Sequence, residues 1–101
     1  MKNFTTYSLA VEFYKTCKTI KLRASLKDQL LRASSSIALN LAEGSGRKTS
    51  KDQARFFSYS FASLRECQAA LDLADSDNTK ALEQADKLAA HIYNLMKYHG
   101  R

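Results

Sequence analysis

No proline occurs among the 101 residues. Average usage would supply about five, with the kinks, edge strands and stiff linkers that proline marks, so its absence leaves long uninterrupted helices as the natural product of this chain. Glycine is nearly as scarce: Gly44 and Gly46 share one mid-chain segment, and Gly100 stands near the end. No apolar run approaches 18 residues, which excludes a membrane-spanning helix. Residues 1–10 lack the apolar stretch of a secretory signal, so the expected compartment is the cytoplasm. Cys17 and Cys67 have no CxxC spacing and no paired histidines beside them, and each falls in an apolar helical pattern. Two buried thiols is the expected state, a single disulfide the alternative.

What is present is charge of one sign in one half. The formal net charge is +6, but residues 1–55 carry a net +7 and residues 56–101 a net −1. Clustered Lys and Arg release condensed counterions from phosphates, so the asymmetry points to RNA or DNA as a partner, with a merely solvated surface as the alternative. A chain this short makes one domain, residues 1–101, and buries about 65% of its unfolded surface, enough for one modest core that a partner copy can complete.

Four segments carry apolar residues at alternating spacings of three and four, the mark of an amphipathic helix. The first, about Thr5 to Ile20, aligns Ala10, Phe13, Cys17 and Ile20. The second, about Leu26 to Glu43, aligns Leu26, Leu30, Ala33, Ile37 and Leu41, with Ser25 as N-cap and Asp28 completing a capping box. The third, about Ser50 to Asp75, aligns Phe57, Ser60, Leu64, Cys67, Leu71 and Ala74, with Ser50 capping and Gln53 reaching back. The fourth, about Asn78 to Tyr98, aligns Leu82, Ala85, Leu88 or Ala89, Ile92 and Leu95 or Met96. No segment shows the period-two alternation of a strand. Four such helices on short connections bury their stripes together as an all-α, antiparallel up-down-up-down bundle.

The chain carries more apolar surface than one seam can hide. At 100° per residue, Phe56, Phe57, Tyr59 and Phe61 spread over roughly 200° of the third helix. Leu31, Ala38, Leu39 and Ala42 form a second ridge on the second helix. Leu31, Leu39, Phe56, Tyr59 and Phe61 are therefore candidates for an interface between copies, the alternative being that flanking helices wrap them.

The stretch from Leu30 to Gly44 holds an Arg32-Ala33 pair, a Ser36-Ile37 pair, Asn40 and Glu43-Gly44. Gly46-Arg47 follows, and then Phe57, Ser60, Ser63, Leu64 and Glu66 on an aromatic-rich third helix. This pattern resembles the four-helix bundle proteins encoded in intervening sequences of bacterial 23S ribosomal RNA genes, strongly over about 40 residues of the second and third helices. The resemblance implies a left-twisted bundle assembling into a ring, a pentamer, with a positively charged surface suited to nucleic acid. That family is distantly related to the accessory proteins of diversity-generating retroelements, in which a basic pentameric barrel engages a reverse transcriptase. Two departures stand out. The proline often found between the first and second helices is missing, and the Arg-Gly usual before the third-helix serine is Phe61-Ala62, which weakens any borrowed basic site there.

Arg32, Ser36, Asn40 and Glu43 lie within roughly 80° of one another on the second helix, a polar ribbon beside the core stripe. One reading makes it a site, with Arg32 taking a phosphate, Asn40 a base or backbone, and Glu43 orienting a neighbouring arginine. The other is a hydrogen-bond network in which Ser60 or Ser63 answers Asn40 and fixes helix register, and this is the one favoured. Gly44 reads as the C′ residue closing the helix in a left-handed conformation. Gly44 to Lys51 combines glycines, Lys and hydroxyls, but it lacks Walker spacing and a preceding strand. Arg47, Lys48, Lys51 and Arg55 instead cluster at a helix N-terminus whose amides attract anions, and with Arg32 they are the candidate phosphate contacts.

No catalytic residues suggest themselves: there is no Glu-x-x-His, His91 and His99 diverge in angle, and no Ser, His and acid triplet stands out. No metal, cofactor or small-molecule substrate is indicated. The expected function is thus a non-catalytic homo-oligomer whose basic surface contacts RNA or DNA. An oligomeric protein-interaction scaffold with no nucleic-acid role is the alternative.

Overall fold

The computed structural model describes residues 4–75 and 77–100. The stripes fold into four helices, α1 (Thr5–Thr19), α2 (Ala24–Ser45), α3 (Ser50–Asp72) and α4 (Thr79–His99), with no strand among the described residues. Each helix packs on two others, α1 on α2 and α4, and α3 on α2 and α4, while the diagonal pairs stay apart. Side-chain contacts run in opposite register along the seams. On α2 and α3, Gln29 meets Glu66, Ser36 meets Ser63 and Gly44 meets Phe57; on α3 and α4, Phe57 meets His99, Phe61 meets Tyr93 and Gln68 meets Asp86.

The core follows the expected stripes except near their ends, where Leu26, Ala74, Leu95 and Met96 are only half-buried. Ala10, Phe13, Cys17 and Ile20 of the first, Leu30, Ala33, Ile37 and Leu41 of the second, and Phe57, Ser60, Leu64, Cys67 and Leu71 of the third are all buried. On α4, Ala85, Leu88 and Ile92 are buried, but Ala81 takes the place expected for Leu82, which is only half-buried. The smaller side chain lets the start of α4 sit close to its neighbours.

The helix ends differ from the sequence reading in instructive ways. α2 begins at Ala24, two residues earlier than a Ser25 cap allows, and its N-cap residue Arg23 contributes no side-chain hydrogen bond. From the first turn of α2, Lys27 reaches back to α1, where its ammonium donates to the carbonyls of Cys17, Lys18 and Ile20. A lysine thus caps the negative end of the preceding helix. At α3 the cap is Thr49 rather than Ser50. Thr49 is the last residue with extended backbone, and its hydroxyl accepts from Asp52 N at 3.1 Å, whereas Ser50 is already helical.

α3 stops at Asp72 rather than Asp75. Asn78 Nδ2 donates to Leu71 O at 2.6 Å, closing that end, while Asp77 Oδ1 accepts from both the amide and the hydroxyl of Thr79 to open α4. These hydrogen bonds from Thr79 hold the Asp77 carboxyl below its ordinary value. Ser76, within the expected polar link, lies outside the described residues.

Gly44 is not a left-handed C′ residue. It lies inside α2, which runs on to Ser45, and no described residue has positive φ. Its lack of a side chain serves a close approach instead, since the ring of Phe57 occupies the space a β-carbon would need.

Cys17 and Cys67 are both buried and free. They sit on α1 and α3, diagonal helices between which no Cα pair comes within 8 Å, so a disulfide would need backbone movement. Burial pushes the Cys17 thiol up to about 12, opposed by a Ser34 hydrogen bond and the Lys27 charge, and it pushes Cys67 up as well.

Candidate nucleic-acid interface at the α2–α3 turn

The short α2–α3 connection forces the two helices side by side, and the middle of the polar ribbon meets α3 through Ser36. Asn40 Nδ2 donates to Ser36 O at 2.9 Å and to Ser36 Oγ at 3.0 Å. Ser63 Oγ in turn donates to Ser36 Oγ at 3.1 Å across the helices. Ser60, fully buried, donates to Ile37 O at 2.9 Å. The serines therefore do not answer Asn40 directly; Ser36 stands between Asn40 and Ser63, and Ser60 pins the α2 backbone. These bonds tie α3 to α2 at defined levels, as a network that fixes register does.

Glu43 leads from the ribbon to the turn. Its carboxylate lies 3.6 Å from Arg47 Nε, and Asp52 Oδ2 lies 3.3 Å from the same nitrogen. Asp52 Oδ1 also accepts from Arg55 Nε at 3.0 Å and Nη2 at 2.7 Å. This bonding, and then Tyr59, pushes the Arg55 pKa further above its ordinary value. Both guanidiniums sit over the Phe56 ring, Arg47 at 4.5 Å and Arg55 at 4.7 Å from its centroid, and Arg55 reaches Tyr59 as well. Lys48 and Lys51 flank them, exposed. Four cations face two carboxylates, a local excess of two positive charges.

Arg47, Lys48, Lys51 and Arg55 are thus brought together, but Arg32 is not. It is exposed on the outward face of α2, fifteen residues and about 20 Å along the helix from the turn. Nor does the α3 N-terminus offer all its amides, since Thr49 takes that of Asp52. What remains is a patch of side-chain charge on a ring.

The candidate interface residues divide in the same way. Leu39 is 68% exposed and Tyr59 is 45% exposed. Phe56 lies half-buried beneath its two arginines. Leu31 packs against the core, and Phe61 packs against the core and Tyr93 with Arg65 over its ring, so the fold itself wraps both. Arg55, read from sequence as a phosphate contact, and Phe56 and Tyr59, read as oligomer contacts, form one continuous surface.

The model of one protein family matches residues 5–100, and its description is 23S rRNA-intervening sequence protein. The chain belongs to that family. Comparison with curated proteins gives no match. In this family member the motif residues Ser36, Gly44, Ser60 and Ser63 join α2 to α3, and Asn40 bonds Ser36 from within α2. Among its described residues no group of three or more His, Cys, Asp or Glu is placed to hold a metal ion, and no helix is long and apolar enough to cross a membrane.

Sequence reasoning missed Lys27 and the role of Asp52. The second was accessible: Asp52-Arg55 at i, i+3 and Arg55-Tyr59 at i, i+4 are spacings at which helical side chains meet. Lys27 carried no such signal, because its partners are backbone carbonyls of another helix.

Proposed function

We propose that this protein is a non-catalytic, cytoplasmic homo-oligomer, a pentamer by its family resemblance, that contacts RNA or DNA through its basic surface. The observation that carries the reading is the convergence of Arg47, Lys48, Lys51 and Arg55 on one turn with only Glu43 and Asp52 to offset them. The Arg47 pairs with Glu43 and Asp52, at 3.6 and 3.3 Å, are of the kind worth about 0–1 kcal/mol, so a phosphate can compete for Arg47 at little cost. The exposed Leu39 and the net +7 of the first half support assembly into a larger basic face.

The test is a binding titration with a labelled RNA across a salt series. The reading expects log K to fall linearly with log salt. Salt-independent affinity, or no binding at low salt, overturns it.

A further inference from the structure

Charge alone would satisfy a phosphate backbone, yet this patch also presents rings and planar cations. Lys51, Arg55 and Tyr59 stand at i, i+4 and i+8 on α3, one row with about 6 Å of rise per step. The Arg55 plane is already fixed: Asp52 holds Nε and Nη2, Tyr59 Oη accepts from Nη1 at 3.3 Å, and Phe56 lies beneath. Little entropy remains to be lost when a ligand settles on it. Tyr59 meets Phe56 edge-on at 5.5 Å between centroids, which supports its ring while leaving it 45% exposed.

We propose that Tyr59 and Arg55 form a stacking platform for unpaired bases, with Lys48 and Lys51 holding the adjoining phosphates, so that the ligand is a single-stranded nucleic acid. This rests on the nucleic-acid reading above and narrows it. A duplex keeps its base faces stacked inside and offers an exposed ring nothing; a single strand offers both bases and phosphates at once. A second copy of the chain is the poorer occupant. Covering this patch with another face of a second copy would bury Lys48 and Lys51, both exposed, and lysine is depleted from the core of interfaces between proteins.

The experiment measures anisotropy with three labelled probes: a single strand of about 12 nucleotides, a duplex of the same length, and an abasic strand with the same phosphates. The wild-type protein binds the base-bearing strand about tenfold more tightly than the abasic one. Tyr59→Ala removes that advantage and leaves abasic binding unchanged, whereas Tyr59→Phe keeps it. Lys51→Ala weakens all three probes. Equal affinity for base-bearing and abasic strands, or an indifferent Tyr59→Ala, overturns the platform while sparing the nucleic-acid reading. Absence of salt-dependent binding to every probe overturns both. A Tyr59→Ala protein of lower solution mass assigns the ring to contact between copies and overturns the platform.

Discussion

The edge of the Phe57 ring stands where a β-carbon on Gly44 would have to go: such an atom would lie 2.7 Å from Phe57 Cε1 and 3.1 Å from Phe56 Cβ. The ring cannot easily yield, because it is buried and held between Phe4 and His99. In Gly44→Ala the gain in helix propensity, about 1 kcal/mol, is outweighed by an overpacking cost of about 1–3 kcal/mol. The expected outcome is a net loss of about 1 kcal/mol in urea unfolding. In a Phe57→Leu background the cost of the same substitution shrinks, a coupling a double-mutant cycle reads directly. A left-handed Gly44 would show no such coupling.

Lys27 gives a second prediction. Its ammonium meets three carbonyls at the end of α1, and hydrogen bonds from charged groups contribute about 1.5–3 kcal/mol when buried. Lys27 is half-buried, so Lys27→Met, which keeps the apolar stem, is expected to lower unfolding stability by about 1–2 kcal/mol. Lys15→Met, exposed on α1, serves as the control and changes stability by less than about 0.5 kcal/mol.

The two thiols tie stability to alkaline pH. An unfolded thiol ionises near 9.0, whereas burial holds Cys17 protonated up to about 12 and pushes Cys67 up too. Between these values the unfolded chain binds fewer protons than the folded one, so stability is full below pH 9 and falls as pH rises, by about 1.4 kcal/mol per unit for each thiol. Urea midpoints of the wild type and Cys17→Ala, measured under reducing conditions from pH 8 to 10.5, test this; the wild type falls more steeply. In the native protein at pH 8 both cysteines resist thiol reagents, and no internal disulfide forms.

Much of this fold could be read from sequence because apolar spacing encodes which side of a helix is covered. That is why Phe13, Ile37, Leu64 and Ile92 were placed in the core. Spacing does not say how closely two backbones approach, so neither the packing of Gly44 on Phe57 nor the burial of Ala81 ahead of Leu82 is legible in it. Nor does it reveal caps made across helices: Ser25 has cap chemistry, but the bond that organises the α1–α2 junction comes from Lys27. At the candidate site, the clustering of Arg47, Lys48, Lys51 and Arg55 follows from their nearness in sequence. Spacing does not show that Arg47 and Arg55 both stack on Phe56, nor that Arg32, a member of the polar ribbon of α2, stays apart from them.

Leu39 separates assembly from folding. It is exposed on the outward side of α2, so at a protein concentration low enough to keep both chains monomeric Leu39→Lys is expected to leave the unfolding midpoint within about 0.5 kcal/mol of wild type. If Leu39 seals contacts between copies, the same substitution lowers the solution mass measured by light scattering. An unchanged mass removes Leu39 from the interface.

The most direct test of the basic turn compares salt dependence in the wild type and in Lys48→Ala/Lys51→Ala. Both lysines are exposed, so the variant keeps its fold. Each lost phosphate contact on a single strand reduces the slope of log K against log salt by about 0.7. The turn as a phosphate contact predicts a slope shallower by about 1.4 together with weaker binding at low salt. Unchanged slope and affinity would contradict it, and would place any nucleic-acid contact elsewhere on the bundle.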